Sequence, residues 1–358
     1  MEKIGSSDLY QRFSRDLIRK LDPEASLMYD ITSIPSYSIA PVFEYGHAKD
    51  QQDLEQINFS MFMEKRRSVP LYYELYPGSI PDIVTLKRTI EYLSPFIREM
   101  EIILDRDFFT LENLRLISKM KYIIAASLAR KEIKGIFSGT TRTVDRVDNV
   151  MMYEGDPIFC QKVSFQIQDL DLTGYFYHDP KRETEKRSDF HRKLREKREQ
   201  IENLQIRRGL RKTIEGIAGS YGRYISYSTE DGRIITKAKD NAISSAENRM
   251  GRFLLVYRGG YSASDCLTLY RQRDVIEKAF RVLKTDLDLF PLRDHKESTI
   301  RGTMFVFFLS LIIRSALHRG MQSSHLDKKY SIETMILKLE RTTKKKEILD
   351  ILERILLW

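Results

Sequence analysis

The chain has 358 residues, of which 42% are hydrophobic and 11% aromatic, and its 60 Lys and Arg against 51 Asp and Glu give a formal net charge of +9. This length and composition exclude a disordered chain and leave room for about two domains. The basic surplus favours a polyanionic partner, nucleic acid before a membrane surface.

Cysteine and histidine usage argues against two further classes of protein. Cys160 and Cys266 belong to no CxxC pair, and the six histidines show no HxxxH or HExxH spacing. A disulfide framework or a zinc cluster is therefore not expected. No secretory apolar stretch opens the chain, which predicts a cytoplasmic location.

The first 135 residues predict a mixed α/β sheet with helices packed on it. Residues 1–25 contain an amphipathic helix, and 26–135 form the first part of the sheet domain. The strand SLMYDITSI (26–34) carries Asp30 at its exit. In EIILDRDFF (101–109), the first apolar run ends in Asp105. Between and after them the chain reads INFSMFME and VPLYYELY as strands, 83–100 and LENLRLISKM as helices, and KYIIAASLA as a strand.

Residues 136–262 have a different character and predict a β-rich insertion with a long charged helix, KRETEKRSDFHRKLREKREQIENLQIRRG. Residues 263–320 are expected to complete the first domain, and 321–358 to form a basic helical tail. The apolar run 303–317 is too short to span a membrane and contains Arg314. It predicts a buried core helix and no membrane association.

Three carboxylates could meet at one edge of the predicted sheet. Asp30 and Asp105 each end an apolar run, and Glu277 lies on a helix that could pack against the same sheet. Carboxylates without Cys or His suit Mg²⁺ or Mn²⁺, and two such ions would serve phosphodiester chemistry. Asp107 is an alternative to Asp105, because strand alternation puts both on the same side.

One face of the predicted helix over 270–284 collects four polar side chains. Their spacings of three, four and seven residues place them within roughly 60° of one another on an α-helix. These residues are Tyr270, Arg273, Glu277 and Lys284. A mixed-charge face opposite an apolar stripe is also typical of ordinary surface helices, so this spacing alone predicts no function.

The pattern Tyr-x2-Arg-x3-Glu-x6-Lys resembles the Y-R-E-K signature of a large branch of prokaryotic insertion-sequence DDE transposases. YDITSI resembles that family's Asp-x-Thr strand, and IILDRDF resembles its second-aspartate strand. GHAKDQQDLEQ followed by VPLYYELYPGSIPDIVTL resembles the stretch between the two aspartates. The resemblance covers about residues 26 to 320.

This resemblance implies an RNase H-like catalytic domain with a β-rich insertion, and an enzyme that cuts and joins DNA strands with two Mg²⁺ or Mn²⁺ ions. The implied catalytic and metal-binding residues are Asp30, Asp105 and Glu277. The residues implied to hold DNA phosphates near the transposon end are Tyr270, Arg273 and Lys284. The implied partners are double-stranded DNA, as terminal repeats and target, and a second copy of the chain.

Two further expectations concern the start of the chain. The first catalytic strand begins near residue 26, whereas members of the family usually carry a DNA-binding region before it, so an N-terminal truncation is expected. A truncated chain could bind DNA without cutting and inhibit a full-length transposase. A stand-alone metal nuclease would cut without strand transfer, and a glycosidase would explain neither the basic surplus nor the polar helix face.

Overall fold

The computed structural model describes residues 1–22, 24–38, 40–46, 54–97, 100–205, 208–286 and 295–342. The chain divides into two compact units. Unit 1 comprises Met1–Ala125 and the segment that starts at Tyr257, and unit 2 comprises Ala126–Val256. Unit 2 therefore interrupts the sequence of unit 1, where the sequence pattern places an insertion at 136–262.

The first segment of unit 1 forms a mixed sheet with helices. Its elements are α1 (Glu2–Gly5), α2 (Leu9–Arg19), β1 (Ser26–Pro35), β2 (Gln56–Glu64), β3 (Val69–Pro77), α3 (Asp82–Ile97), β4 (Glu101–Leu104), α4 (Leu111–Ile117) and β5 (Lys121–Ala126). The strand order is β3-β2-β1-β4-β5, in which β1, β2 and β3 are antiparallel neighbours and β4 runs parallel to β1 and β5. The predicted mixed α/β sheet flanked by helices is confirmed.

Unit 2 combines an antiparallel meander, a hairpin and a long helix. Its elements are α5 (Lys134–Thr140), β6 (Val150–Tyr153), β7 (Asp156–Ile167), β8 (Leu170–His178), α6 (Pro180–Glu202), α7 (Leu210–Ala218), β9 (Ile225–Glu230), β10 (Arg233–Ala238), α8 (Asp240–Glu247) and β11 (Arg252–Arg258). The charged helix α6 begins sharply, because the Asp179 side chain accepts the Arg182 N–H and Pro180 occupies the first turn.

The chain then returns to unit 1 as a series of helices. They are α9 (Ala263–Arg271), α10 (Asp274–Arg281), a π-helical segment (Val282–Asp286), α11 (Glu297–Ser323) and α12 (Ile332–Thr342). The prediction of one continuous helix over 270–284 is wrong. Around Arg273 the backbone bonds tighten, with Val275 N–H donating to the Gln272 carbonyl and Ile276 N–H to that of Arg273. These three-residue steps separate α9 from α10.

Helix α11 forms part of the core of unit 1. By length and composition alone it could cross a membrane, but one such helix is weak evidence for a membrane span, because the core helix of a soluble protein passes the same test. Met304 and Phe308 are fully buried and pack in one cluster with Phe59 and Tyr73 of the sheet. The predicted core helix 303–317 therefore lies within α11. Most of the RTTKKK tail and of the GHAKDQQDLEQ loop lies outside the described residues.

Strand β3 ends the strand order of unit 1, and a tyrosine from α2 covers the middle of its open edge. The Tyr10 hydroxyl donates to the Tyr73 carbonyl and accepts the Tyr73 N–H at 2.6 Å. The Tyr10 ring packs on the Tyr73 ring with centroids 4.2 Å apart. The outward-facing backbone groups of Tyr73 are thus satisfied by a side chain.

Candidate active site

The register between β1 and β4 brings two aspartates side by side. The parallel pairing runs as far as Tyr29 opposite Leu104, and the next residue on each side is Asp30 or Asp105. The sequence pattern predicts that Asp30 lies at the exit of its strand. In the structure it lies within the strand, because β1 continues along β2 to Pro35. The two carboxylates nevertheless emerge where the parallel pair ends.

Asp105 lies at the point where β4 turns into a 3₁₀ turn, Arg106–Phe108. Its side chain caps that turn by accepting the Arg106 N–H at 2.7 Å. Asp107 lies inside the turn, where its carboxylate is 3.7 Å from the Arg106 guanidinium. Strand alternation therefore no longer applies at Asp107, and of the two alternatives Asp105 is the one beside Asp30.

The guanidinium of Arg273 joins three carboxylates. Its Nη1 atom lies 3.0 Å from Asp30 Oδ2, and its Nη2 atom lies 3.4 Å from Asp105 Oδ2 and 2.6 Å from Glu277 Oε1. The Tyr270 hydroxyl donates to Asp105 Oδ1 at 3.1 Å. We call these five residues the acidic cluster. They come from three separate segments of the sequence.

Burial sets the electrostatics of the acidic cluster. It raises the pKa of Asp30 to about 6, although the positive charge of Arg273 opposes that shift. Burial also raises the pKa of Tyr270, and the Asp105 carboxylate adds to the effect. Burial alone would lower the pKa of Arg273, but Asp105 and the other carboxylates outweigh it and raise the pKa, so the guanidinium stays charged.

Lys284 lies in the π-helical segment Val282–Asp286 and is half-buried. A π-helix has wider turns than an α-helix. The α-helical spacing that aligns Lys284 with Glu277 therefore does not apply there. The structure brings the other five predicted site residues together in the acidic cluster.

The acidic cluster fits a divalent cation in donor type and in charge. Three carboxylates face one guanidinium, which leaves a surplus of negative charge, and carboxylate oxygens are the ligands that Mg²⁺ and Mn²⁺ prefer. Among the described residues, however, no group of three or more His, Cys, Asp or Glu side chains is arranged around a metal position. Here Arg273 lies where the carboxylates converge, so a metal ion would have to take its place.

Two features of the site have local sequence signals of their own. Arg273 and Glu277 are four residues apart, a spacing at which opposite charges pair across a helical turn. Ser262 and Asp265 form a capping box: the Ser262 side chain accepts the Asp265 N–H, and the Asp265 carboxylate accepts the Ser262 N–H. This box starts α9, whose last turn carries Tyr270.

No protein-family model and no curated protein matches the sequence. Among solved structures, the chain is similar to the piggyBac transposase synaptic complex with hairpin DNA, at 11% identity and a TM-score of 0.45, with 97% of this chain and 61% of that chain covered. It is also similar to the Mos1 transposase paired-end complex with left transposon end, at 11% identity and a TM-score of 0.22, with 41% of this chain and 51% of that chain covered. The chain thus spans about three fifths of the length of the first of these structures and about half of the second.

Proposed function

We propose that this chain is a DDE transposase that catalyses metal-dependent DNA cleavage and strand transfer at insertion-sequence ends. The observation that carries the proposal is the acidic cluster. Its members are Asp30, Asp105, Tyr270, Arg273 and Glu277, which belong to sequence patterns far apart in the chain. The proposed partners are double-stranded DNA and a second copy of the chain. The proposed location of the protein is the cytoplasm.

The three carboxylates have the chemistry required to hold the metal. Asp30, Asp105 and Glu277 would bind two Mg²⁺ or Mn²⁺ ions. When bound, such ions lower the cost of the negative charge that builds up on the attacking and leaving oxygens of a phosphodiester. Tyr270 donates to Oδ1 of Asp105, which fixes that carboxylate and directs its other oxygen toward the cluster.

Arg273 has a separate role in the proposal. Without DNA it neutralises carboxylates that would otherwise repel one another. Released from them, it could bind a DNA phosphate through two parallel N–H donors. Lys284 would add a point charge further along the same segment. Arg273 would thus exchange one set of oxygen partners for another as the site is loaded.

The test is a cleavage assay with labelled DNA, including pre-nicked ends of the parent element, in the presence and absence of Mg²⁺ or Mn²⁺. Glu277→Gln is compared with Asp274→Asn. Both residues lie on α10, both side chains are 52% exposed, and both substitutions convert a carboxylate to an amide. Only Glu277 belongs to the acidic cluster.

We expect metal-dependent cutting and joining that falls at least about a hundredfold in Glu277→Gln and persists in Asp274→Asn. Equal activity in the two variants would contradict the proposed site. Cutting without joining would indicate a stand-alone nuclease. DNA binding without any cutting would indicate a non-catalytic fragment that inhibits a full-length transposase.

A further inference from the structure

A basic groove lies in unit 1 apart from the acidic cluster. It is a cavity of about 380 Å³ between the turn that joins β2 to β3 and the helices α10 and α11. Its basic side chains are Arg66, Arg67, Lys278, Arg314, His318 and Arg319. None of the described residues that line it is acidic, so its lining carries a surplus of positive charge.

The turn between β2 and β3 carries two adjacent arginines, Arg66 and Arg67, and its backbone is held by a buried carboxylate. Glu64 is only 4% exposed, and its carboxylate accepts the N–H of Arg66 at 2.7 Å and that of Arg67 at 2.6 Å. Ser68, which closes the turn, has a φ of 54°, in the left-handed region that a serine rarely adopts. The Glu64 carboxylate, at the end of β2, is therefore held by the backbone N–H groups of both arginines.

The cations of the groove are held close to one another. The Arg319 guanidinium lies 3.5 Å from the Arg67 carbonyl, and burial followed by repulsion from Arg67 lowers its pKa. Lys278 and Arg314 have acidic partners on their own helices or the next one. Arg66, Arg67 and Arg319 make no salt bridge with any residue in the described ranges. Such crowding of like charge costs stability through repulsion, and a cleft lined by one sign of charge raises the local concentration of counter-ions.

We infer that the basic groove binds the phosphate backbone of a DNA duplex, at a position separate from the reacting phosphate. Closely spaced guanidinium and ammonium groups along a groove match successive phosphates and read no sequence. The β2–β3 turn is bonded to Ser26, through the Lys65 N–H and the Ser26 carbonyl. Asp30 lies four residues after Ser26 on β1, which is about 13 Å from Ser26 at the rise per residue of a strand.

This inference rests on the proposed function, because it assigns a second contact surface for the same DNA substrate. The groove would hold the duplex while the acidic cluster acts on one phosphate. Its contribution is sequence-independent affinity, which is measurable without metal and without cleavage.

The test measures binding of a labelled duplex of arbitrary sequence by fluorescence anisotropy, without divalent metal, at salt concentrations from about 50 to 200 mM. The variant is Arg66→Gln with Arg67→Gln. The control is Arg12→Gln with Lys87→Gln, which removes the same charge from exposed positions on α2 and α3. Those two residues form surface salt bridges of little energetic weight.

We expect the groove variant to bind more weakly than the control, with a log–log salt dependence less steep by about two, one unit for each phosphate that is no longer neutralised. Equal affinity and slope in the variant and the control would overturn the inference and leave the proposed function intact. Polyglutamate serves as a second probe in the same assay. If the groove variant loses binding to polyglutamate but not to DNA, the inference is overturned in favour of an acidic protein partner. Failure of the unaltered chain to bind duplex at all would contradict the proposed function itself.

Discussion

Arg273 is a charged side chain that is only 12% exposed, and it has three carboxylate partners. A buried ion pair contributes little net stability compared with a packed apolar pair. Removing one partner is different, because the remaining charges stay buried without compensation. Arg273 therefore holds the acidic cluster in shape.

Arg273→Ala should lower the free energy of unfolding by about 3 kcal/mol, because Asp30, Asp105 and Glu277 lose their common cation. The measurement is urea unfolding at neutral pH, analysed by linear extrapolation. Arg281→Ala is the control, since Arg281 is exposed on α10 and its loss should change stability by no more than about 0.5 kcal/mol. Equal losses in the two variants would show that Arg273 has no special part in stability.

At this scale the sequence predicted which residues to examine better than it predicted how they interact. The spacing of Tyr270, Arg273 and Glu277 and the positions of Asp30 and Asp105 are visible in the sequence. The salt bridges of Arg273 are not, because they depend on the register of β1 against β4. A residue type that binds phosphates also binds carboxylates, and only the three-dimensional arrangement identifies the partner.

At the scale of elements, the separation of α9 from α10 determines the geometry of the site. Arg273 lies at the junction, as the residue before α10, and contacts β1, the residue that follows β4 and the first turn of α10 at once. Tyr270 lies at the end of α9 and contacts Asp105. Each helix therefore supplies a different contact to the acidic cluster, and the start of α9 affects the position of Tyr270.

Ser262→Ala should destabilise the protein by about 1 kcal/mol, because the alanine leaves the Asp265 N–H without its capping acceptor. Ser264→Ala is a matched control: Ser264 is also exposed and lies two positions further on, within the first turn of α9. Thermal or urea unfolding of the two variants provides the comparison. A loss in Ser264→Ala as large as that in Ser262→Ala would contradict the capping role.

Most strands and helices follow from the periodicity of the sequence, but the break at Arg273 does not. The residues 270–284 keep an unbroken helical pattern with neither Gly nor Pro, so nothing local indicates an interruption. The tighter backbone bonds there coincide with the ion pairs of Arg273 to the sheet. Tertiary contacts of this kind override helix propensity.

At the scale of the molecule, each of the two units contains a cluster of buried hydrophobic residues. The core of unit 1 includes Phe59, Met304 and Phe308, whereas that of unit 2 includes Phe190 and Ile201. The two clusters have no residue in common. The contrast between the apolar first segment and the charged, β-rich middle segment indicates such a division in the sequence, although it does not fix the boundaries at Ala126 and Val256.

Ile201→Ala should open unit 2 more easily, by about 2–5 kcal/mol, because Ile201 is fully buried in that core and its truncation leaves a cavity. In native-state hydrogen exchange, the substitution should accelerate exchange, relative to the unaltered protein, more in unit 2 than in unit 1. Ile235→Ala, at a position 36% exposed on β10, is the control and should change little. Equal acceleration in both units would mean that they unfold as one.

The phenol of Tyr10 on the edge of β3 has a consequence for how copies of this chain can associate. An uncovered outer strand offers its backbone to any extended peptide, and sheets of separate molecules can fuse along such edges into aggregates. Here one hydroxyl occupies both the donor and the acceptor of Tyr73. An incoming strand cannot pair at that residue without expelling the tyrosine, so this edge is guarded against the first step of fibril-like growth.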